Sequence, residues 1–388
     1  MRLWRQGFSP IGVDLGSRSL KLVQLSADGS ALIEAVRWNR PEESPAASED
    51  EWVQETVAGL RQALSKGRFH GRRAVFCVSA ADLITQNVRV AEGGRESLSA
   101  WVAQECAGRL GIAPETGEIR YLDVGPVRQG ETVRREVIVL ATRRNTTERL
   151  VRIAEAAGLH LDGIEAEPMA LLRCRLRQFR REEDRHQPMM FVNLGYRLTQ
   201  IMIARDLQPA FLKGVPIAGK ELDAAVCKNL QLRPEVGHGL RRNYGDRRAS
   251  HRDPEVMRSV QQAIRPLLER LAGEIAMAVR YFSVTFRGEP PATVVLGGSE
   301  ADELVRDYLR QQLHAAVELS DPLRAFEVRC RISRPLQWET ALGLALTGCL
   351  KTASNGVRKE MSTRGRSAQA ESFEESLEEQ SLELGHTR

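Results

Sequence analysis

IGVDLGSRSLKLVQL, residues 11–25, sets an aspartate and two glycines inside an apolar run with the character of a buried sheet. A carboxylate in an apolar strand is strongly destabilising unless a positive or hydrogen-bonding group meets it. The stretch predicts a strand through Asp14, a tight turn at Gly16, and a second strand in which Lys21 either balances Asp14 or lies near a bound anion. A third strand follows in ALIEAVRW, so residues 11–37 read as three short strands separated by turns.

Working outward, Ser48 is a candidate cap for a helix in EWVQETVAGLRQALSKG, and AVFCVSA returns to strand. Residues 10–83 thus form the first part of one lobe. Residues 84–165 read as a compact inserted α+β subdomain: strand ITQNVRVA, helix SLSAWVAQECAGRLG, strands IRYLDVG and REVIVLAT, helix TTERLVRIAEAAG. Residues 166–350 begin with a connecting helix in EAEPMALLRCRLRQF, and Pro188 marks a fresh start. MMFVNLGYRLTQIMIARDLQPAFLKGVPIAGKELDAAV then repeats the opening order of three strands and a helix. Asp14-Leu15-Gly16-x-Arg18 falls on Asn193-Leu194-Gly195-x-Arg197, which points to an internal duplication. The Arg-, Gly- and His-rich residues 233–252 read as a mobile loop. A long helix follows that Pro266 either kinks or divides. ATVVLGGSEADELVRDYLRQQL gives strand, glycine turn and helix, and QWETALGLALTGCL a last helix. Residues 351–388 carry the acidic SFEESLEEQSLEL and read as a disordered tail.

Composition bounds the rest. The 388 residues suffice for two domains or one two-lobed one. Basic residues number 56 against 51 acidic, so the net charge of +5 is a weak pointer to nucleic acid or an acidic membrane. The six cysteines show no C-x-x-C and the seven histidines no metal spacing, as expected of free thiols in a reducing cytoplasm. No apolar stretch approaches membrane-spanning length. MRLWRQGFSP is too short and polar for a secretory signal, so a cytosolic protein is expected.

The glycine turns are the candidate chemistry. A strand ending in Asp-x-Gly exposes backbone N–H groups that can cradle phosphate. Gly16 permits that turn, Ser17 and Ser19 add hydroxyl donors, and Asp14 offers a carboxylate to a hydrated Mg²⁺. A second such turn at Gly195 would face the first across a cleft. At Gly297-Gly298-Ser299, a strand-to-helix turn lets a ring or ribose approach the backbone.

These residues, with EAEPMALLR, LGGSEADEL and ETALGLAL, resemble the actin-like ATPase superfamily. Within it they are most similar to the type IV pilus assembly protein PilM family, related to the division protein FtsA. The opening GVDLGSRSLKLVQL, the insert's VAQECAGRLGIAPETGEIRYLDV and EAAGLHLDGIEAEPMAL, and IRPLLERLAGEIAMAVRYF carry the likeness over roughly residues 10–350. The resemblance implies an actin-like α/β fold of two duplicated lobes with an inserted subdomain. It implies ATP and Mg²⁺ as cofactors: Asp14, Gly16, Ser17 and Lys21 at the first phosphate turn, Gly195 and Thr199 at the second, Gly297 and Gly298 at the nucleoside. Two departures stand out. Asn193 replaces a second aspartate and brings no charge to a metal ion or an attacking water, and Glu274-Ile275-Ala276-Met277-Ala278 departs from the family's Glu-x-Arg-Arg-Ser. Losing one aimed electrostatic group commonly costs about 10²–10³ in rate, which argues against hydrolysis.

The implied role is a cytoplasmic scaffold at the inner face of the inner membrane. It would capture a short N-terminal peptide of a PilN-like membrane protein in a groove between the first lobe and the insert, lined by Ile84 to Val90 and Trp101 to Leu110. The rival readings are an actin-fold ATPase or small-molecule kinase, and an FtsA-like filament. Membrane contact is expected to be indirect, and self-association stays open. Nucleic acid is not an expected partner, since the arginine clusters near 173–185 and 233–252 lack interleaved aromatics.

Overall fold

The computed structural model describes residues 7–41, 48–91, 98–113, 115–178, 187–244, 254–313, 315–347 and 349. The expected tail, 351–388, lies outside these residues. Strands β1 (Ile11–Leu15), β2 (Ser19–Leu25) and β3 (Ala31–Asn39) form an antiparallel meander. Every residue of β2 is buried, because the sheet is covered on both faces. Helix α1 (Glu49–Lys66) packs on it. Ser48 caps α1 by accepting from the Glu51 N–H, and Glu49, Asp50 and Glu51 place negative charge at the helix's positive end. Strand β4 (Arg73–Val78) then lies parallel beside β1.

The insert is a three-stranded sheet in the order β5-β7-β6, from β5 (Ile84–Ala91), β6 (Gly117–Gln129) and β7 (Thr132–Arg143). Helix α2 (Leu98–Glu105) covers one face and closes a small core of Val88, Val90, Val102, Cys106, Val137 and Val139. The unit is shorter than the expected 84–165. Helix α3 (Arg144–Ala156) buries Leu150 and Ile153 in the first lobe's core, and β8 (His160–Ala166) pairs in parallel with β4. Their apolar faces match the six-stranded sheet, and linear order alone does not reveal which sheet a strand joins.

Helix α4 (Glu167–Leu176) crosses to the second lobe. That lobe contains β9 (Met189–Leu194), β10 (Thr199–Arg205), β11 (Gln208–Val215), α5 (Gly219–Leu230), α6 (Pro234–Tyr244), α7 (Pro254–Phe286), β12 (Thr293–Gly297), α8 (Glu303–Gln312) and β13 (Ala316–Leu319). Its sheet runs β11-β10-β9-β12-β13. The first runs β14-β3-β2-β1-β4-β8, with β14 (Glu327–Val328) added at its edge. Third, second, first, fourth and fifth strand of each half thus stand in the same order with the same directions, which supports the duplication. A short turn (Pro335–Trp338) leads into α9, residues 339–347.

Two expectations about helices are settled by packing. Helix α7 runs unbroken through Pro266, held by the stripe Ile264, Leu268, Leu271, Ile275, Ala278 and Phe282 in the lobe core. Each such fully buried large side chain contributes about 1.5–3 kcal/mol, enough to offset the lost bond at one proline. Residues 234–244, expected within a loop, are helix α6, because His238 and Arg241 find buried carboxylate partners remote in sequence.

A further core joins the parts. Ile138 and Leu140 of the insert, Leu172 of α4, and Phe191, Met202 and Leu212 of the second sheet pack in one cluster. Beside it Glu136, fully buried, accepts from Tyr281 Oη and from Arg89 Nε at 3.0 Å, and Arg89 also donates to Thr285 at 2.6 Å.

Candidate functional site between the two hairpins

The two glycine turns have the same construction. Leu15 pairs with Leu20 across the first, and Leu194 with Thr199 across the second. A Cβ on Gly16 would meet the Ser19 carbonyl at 2.8 Å, and one on Gly195 the Leu198 carbonyl at 2.7 Å, so both turns require glycine for the same steric reason. They face each other over a cavity of about 80 Å³ lined by Asp14, Gly16, Ser17, Ser19 and Lys21 on one side and Asn193, Gly195 and Gly298 on the other. Arg18 bridges them: its Nη2 donates to Tyr196 Oη at 3.1 Å, its guanidinium lies 4.4 Å from the Tyr196 ring, and Asp223 stands 3.9 Å away. Backbone bonds from Gly219 to Gly195 and from Lys220 to Tyr196 fix the second turn on the start of α5.

The charge that meets Asp14 is Lys21. Its Nζ lies 2.7 Å from Asp14 Oδ2, with the two side chains 5% and 14% exposed. Pairing in register puts them side by side on adjacent strands. Glu167, at the start of α4, is a site residue that sequence reasoning missed. Its Oε2 accepts from the Ala80 N–H at 2.6 Å, and its Oε1 accepts from Asn193 Nδ2 and Thr340 Oγ1, both at 3.5 Å. Burial, then the Asp14 charge, push its carboxyl up to about 7. The only pointer in the sequence is its place in the connecting EAEPMALLR.

Two expected residues stand apart from the cavity. Thr199 is fully buried and donates its hydroxyl to the Ile217 carbonyl; its counterpart in the first hairpin, Leu20, points into the core as well. Gly297 backs onto the buried ion pair of Arg175 with Glu339, 2.7 Å long, and an added Cβ would sit 2.3 Å from Arg175 Nη2. That pair ties α4 to α9. Gly298, by contrast, has φ +101 and reaches the cleft; a Cβ there would lie 2.4 Å from the Leu194 carbonyl.

Larger spaces flank the hairpins. One of about 700 Å³ lies beside Gly298 and the start of α8, and one of about 910 Å³ forms the mouth of the cleft. Between them Arg241 binds Asp223 and Glu300, each at 2.6 Å, while Arg242 binds Glu300 at 2.9 Å and His238 binds Asp223 at 2.8 Å. Burial opposes the charge on Glu300 and Asp223. The arginines, with His238 at Asp223, outweigh it and hold both carboxyls below their ordinary range.

In this arrangement the residues do not fit Mg²⁺-triphosphate between the hairpins. A space of about 80 Å³ admits a few waters. A drug-sized ligand such as a nucleotide takes a pocket of about 300–1,000 Å³. Asp14 is engaged by Lys21, Asn193 is neutral, and no cluster of three His, Cys, Asp or Glu residues suited to a metal occurs among the described residues.

Comparison with known proteins gives the architecture a place. The family model "Type IV pilus assembly protein PilM" matches residues 12–349. The solved PilM-PilN type IV pilus biogenesis complex has a chain that is 21% identical with a TM-score of 0.71, covering 88% of this chain and 98% of that one. The ethanolamine utilization protein EutJ from Carboxydothermus hydrogenoformans is 15% identical with a TM-score of 0.52, covering 88% and 89%. No curated protein matches. The fold is the actin-like α/β fold.

Proposed function

This chain belongs to the type IV pilus assembly protein PilM family, and from that membership we propose that it is a scaffold of the pilus or a related secretion assembly, docking a short peptide of a membrane partner on its insert. One observation carries the reading. A groove of about 430 Å³ lies on the insert between α2 (Ser99, Val102, Ala103) and the start of β6 (Gly117 to Tyr121), with Arg144 of the first lobe at its rim. Strand β6 is at the edge of its sheet, so its outer backbone groups are available to an added strand. The groove shares Val102 and Ala103 with the expected lining of Trp101 to Leu110 but takes nothing from Ile84 to Val90, whose Val88 and Val90 are spent on the insert's own core.

The partner is a PilN-like membrane protein, in keeping with the PilM-PilN complex, and its cytoplasmic N-terminal segment is the peptide. No helix among the described residues is long and apolar enough to cross a membrane. The scaffold is therefore held at the cytoplasmic face through that partner. ATP and Mg²⁺ take no catalytic step in this reading: the cleft between the hairpins would have to open at the Arg18–Tyr196 bridge before a nucleotide could enter.

The test is fluorescence anisotropy of a labelled peptide from the N-terminal segment of a PilN-like membrane protein. Ala103→Arg, which fills the groove, is expected to weaken binding at least about tenfold, the loss of roughly 1.4 kcal/mol. Equal binding by this variant and the wild type would overturn the reading. Phosphate release near one per second would favour the ATPase, and pelleting with ATP and lipid the filament.

A further inference from the structure

A basic surface stands on the first lobe where α1 ends and the chain approaches β4. Residues 61–73, RQALSKGRFHGRR, contain Arg61, Lys66, Arg68, Arg72 and Arg73 and no acid. All five cations are exposed. Two carboxylates lie beside them and are already engaged. Asp162 holds Arg73 at 2.7 Å, and Glu34 accepts from the Arg68 backbone N–H at 2.8 Å. The side chains of Lys66, Arg68 and Arg72 form no ion pair with the described residues.

This loop is tied to the place where the chain leaves the fold. Gln24, fully buried, accepts from the His70 N–H at 2.8 Å and donates to the carbonyls of His70 at 2.7 Å and Ser9 at 3.1 Å. Phe8 stacks on the His70 ring with centroids 3.8 Å apart, and its backbone bridges to Ser26. Cys349 rests on the same turn: its Sγ donates to the Ser26 carbonyl at 3.7 Å, and a Cβ on Gly29 would lie 3.3 Å from it. Residues 350–388 therefore depart beside the basic loop. Among them 371–384, ESFEESLEEQSLEL, hold six glutamates and no basic residue.

We propose that residues 371–384 dock on this basic surface of their own chain, with glutamates on Lys66, Arg68 and Arg72. The charges are complementary, and guanidiniums pair well with carboxylates. The half-exposed Phe8–His70 stack offers Phe373 an aromatic seat. The 21 residues from 350 to 370 span at most about 70 Å, ample for a site a few side chains from Cys349. A tethered segment meets its site at an effective concentration of about millimolar, so individually weak exposed pairs suffice. Once occupied, the surface is closed to anionic lipid and to nucleic acid. Strand β4 starts at this loop and ends toward the insert, so the contact is independent of peptide docking there.

The test is carbodiimide cross-linking of the full chain at low salt, with the joined Lys–Glu pairs mapped by mass spectrometry. Lys66 is expected to join glutamates of 371–383 at least fivefold more often than Lys228, which is exposed on the second lobe. These links are expected to fall at least threefold in 0.5 M salt, an arm that needs no substitution. Arg68→Glu with Arg72→Glu is expected to reduce them at least fivefold, while the same charge change on the second lobe, Arg270→Glu with Arg310→Glu, leaves them unchanged. Lys66 links between heavy- and light-isotope copies alone would assign the site to a second molecule and overturn the proposal. Links confined to Lys351 and Lys359 would do the same, by pairing the glutamates with their own linker. So would flotation with phosphatidylglycerol vesicles that depends on Arg68 and Arg72 while Lys66 stays unlinked, since the occupant is then a membrane.

Discussion

Asp14 and Asn193 occupy the same place in two copies of one hairpin, yet their surroundings differ. Asp14 carries its charge against Lys21, whereas Asn193 is paired in register with Gln200 and donates to Glu167. Glu167 between them titrates in the neutral range. Its folded-state pKa of about 7 lies above its ordinary 4.5, so the folded chain holds this proton more tightly than the unfolded one. The resulting stabilisation is full below pH 4.5 and is lost as pH rises through 7, a change on the order of 3 kcal/mol. Urea denaturation of wild type and Glu167→Gln between pH 4.5 and 8 checks it: the difference in slope over that window is expected to vanish in the variant. The glycines of the site and the Asp14–Lys21 row were legible because tight turns and register are local. Glu167 was not, since what makes it unusual is what stands opposite it in space.

Among the elements, strands and caps followed their sequence patterns closely. Ser48 starts α1 for a reason contained in four residues. Helix α6 and the unbroken α7 did not, since a distant Asp223 and a whole lobe core decide them. The insert shows the same contrast: its strands alternate plainly, but its attachment to α7 uses a buried carboxylate, Glu136, and the Arg89–Thr285 hydrogen bond, both remote in sequence. Burial, reinforced by the hydrogen bond to Glu136, pushes the Tyr281 hydroxyl up to about 12, so it remains a donor at any physiological pH. Tyr281→Phe removes one of the two side chains that serve fully buried Glu136 and is expected to destabilise by about 1–3 kcal/mol. Chemical denaturation reads the loss. A variant as stable as the wild type would mean that Arg89 alone satisfies this carboxylate.

At the scale of the molecule, two like sheets oppose their hairpins as the repeated Leu-Gly turns suggested, while the distance between the lobes could not be read from either copy. Arg18 bridges that gap at the turns, through the hydrogen bond and ring contact to Tyr196 and the nearby Asp223. Removing this bridge in Arg18→Ala is expected to release about 1–2 kcal/mol of interlobe contact. Amide exchange in residues 16–19 and 195–198 should then accelerate roughly 5–30-fold while both sheet interiors stay protected. Unchanged exchange in the two turns would show that the lobes are held by other contacts.

The cluster of Ile138, Leu140, Leu172, Phe191, Met202 and Leu212 belongs to no single lobe. It works as a keystone: a load on the proposed docking groove of the insert would pass through these packed side chains into α4 and the second lobe's sheet.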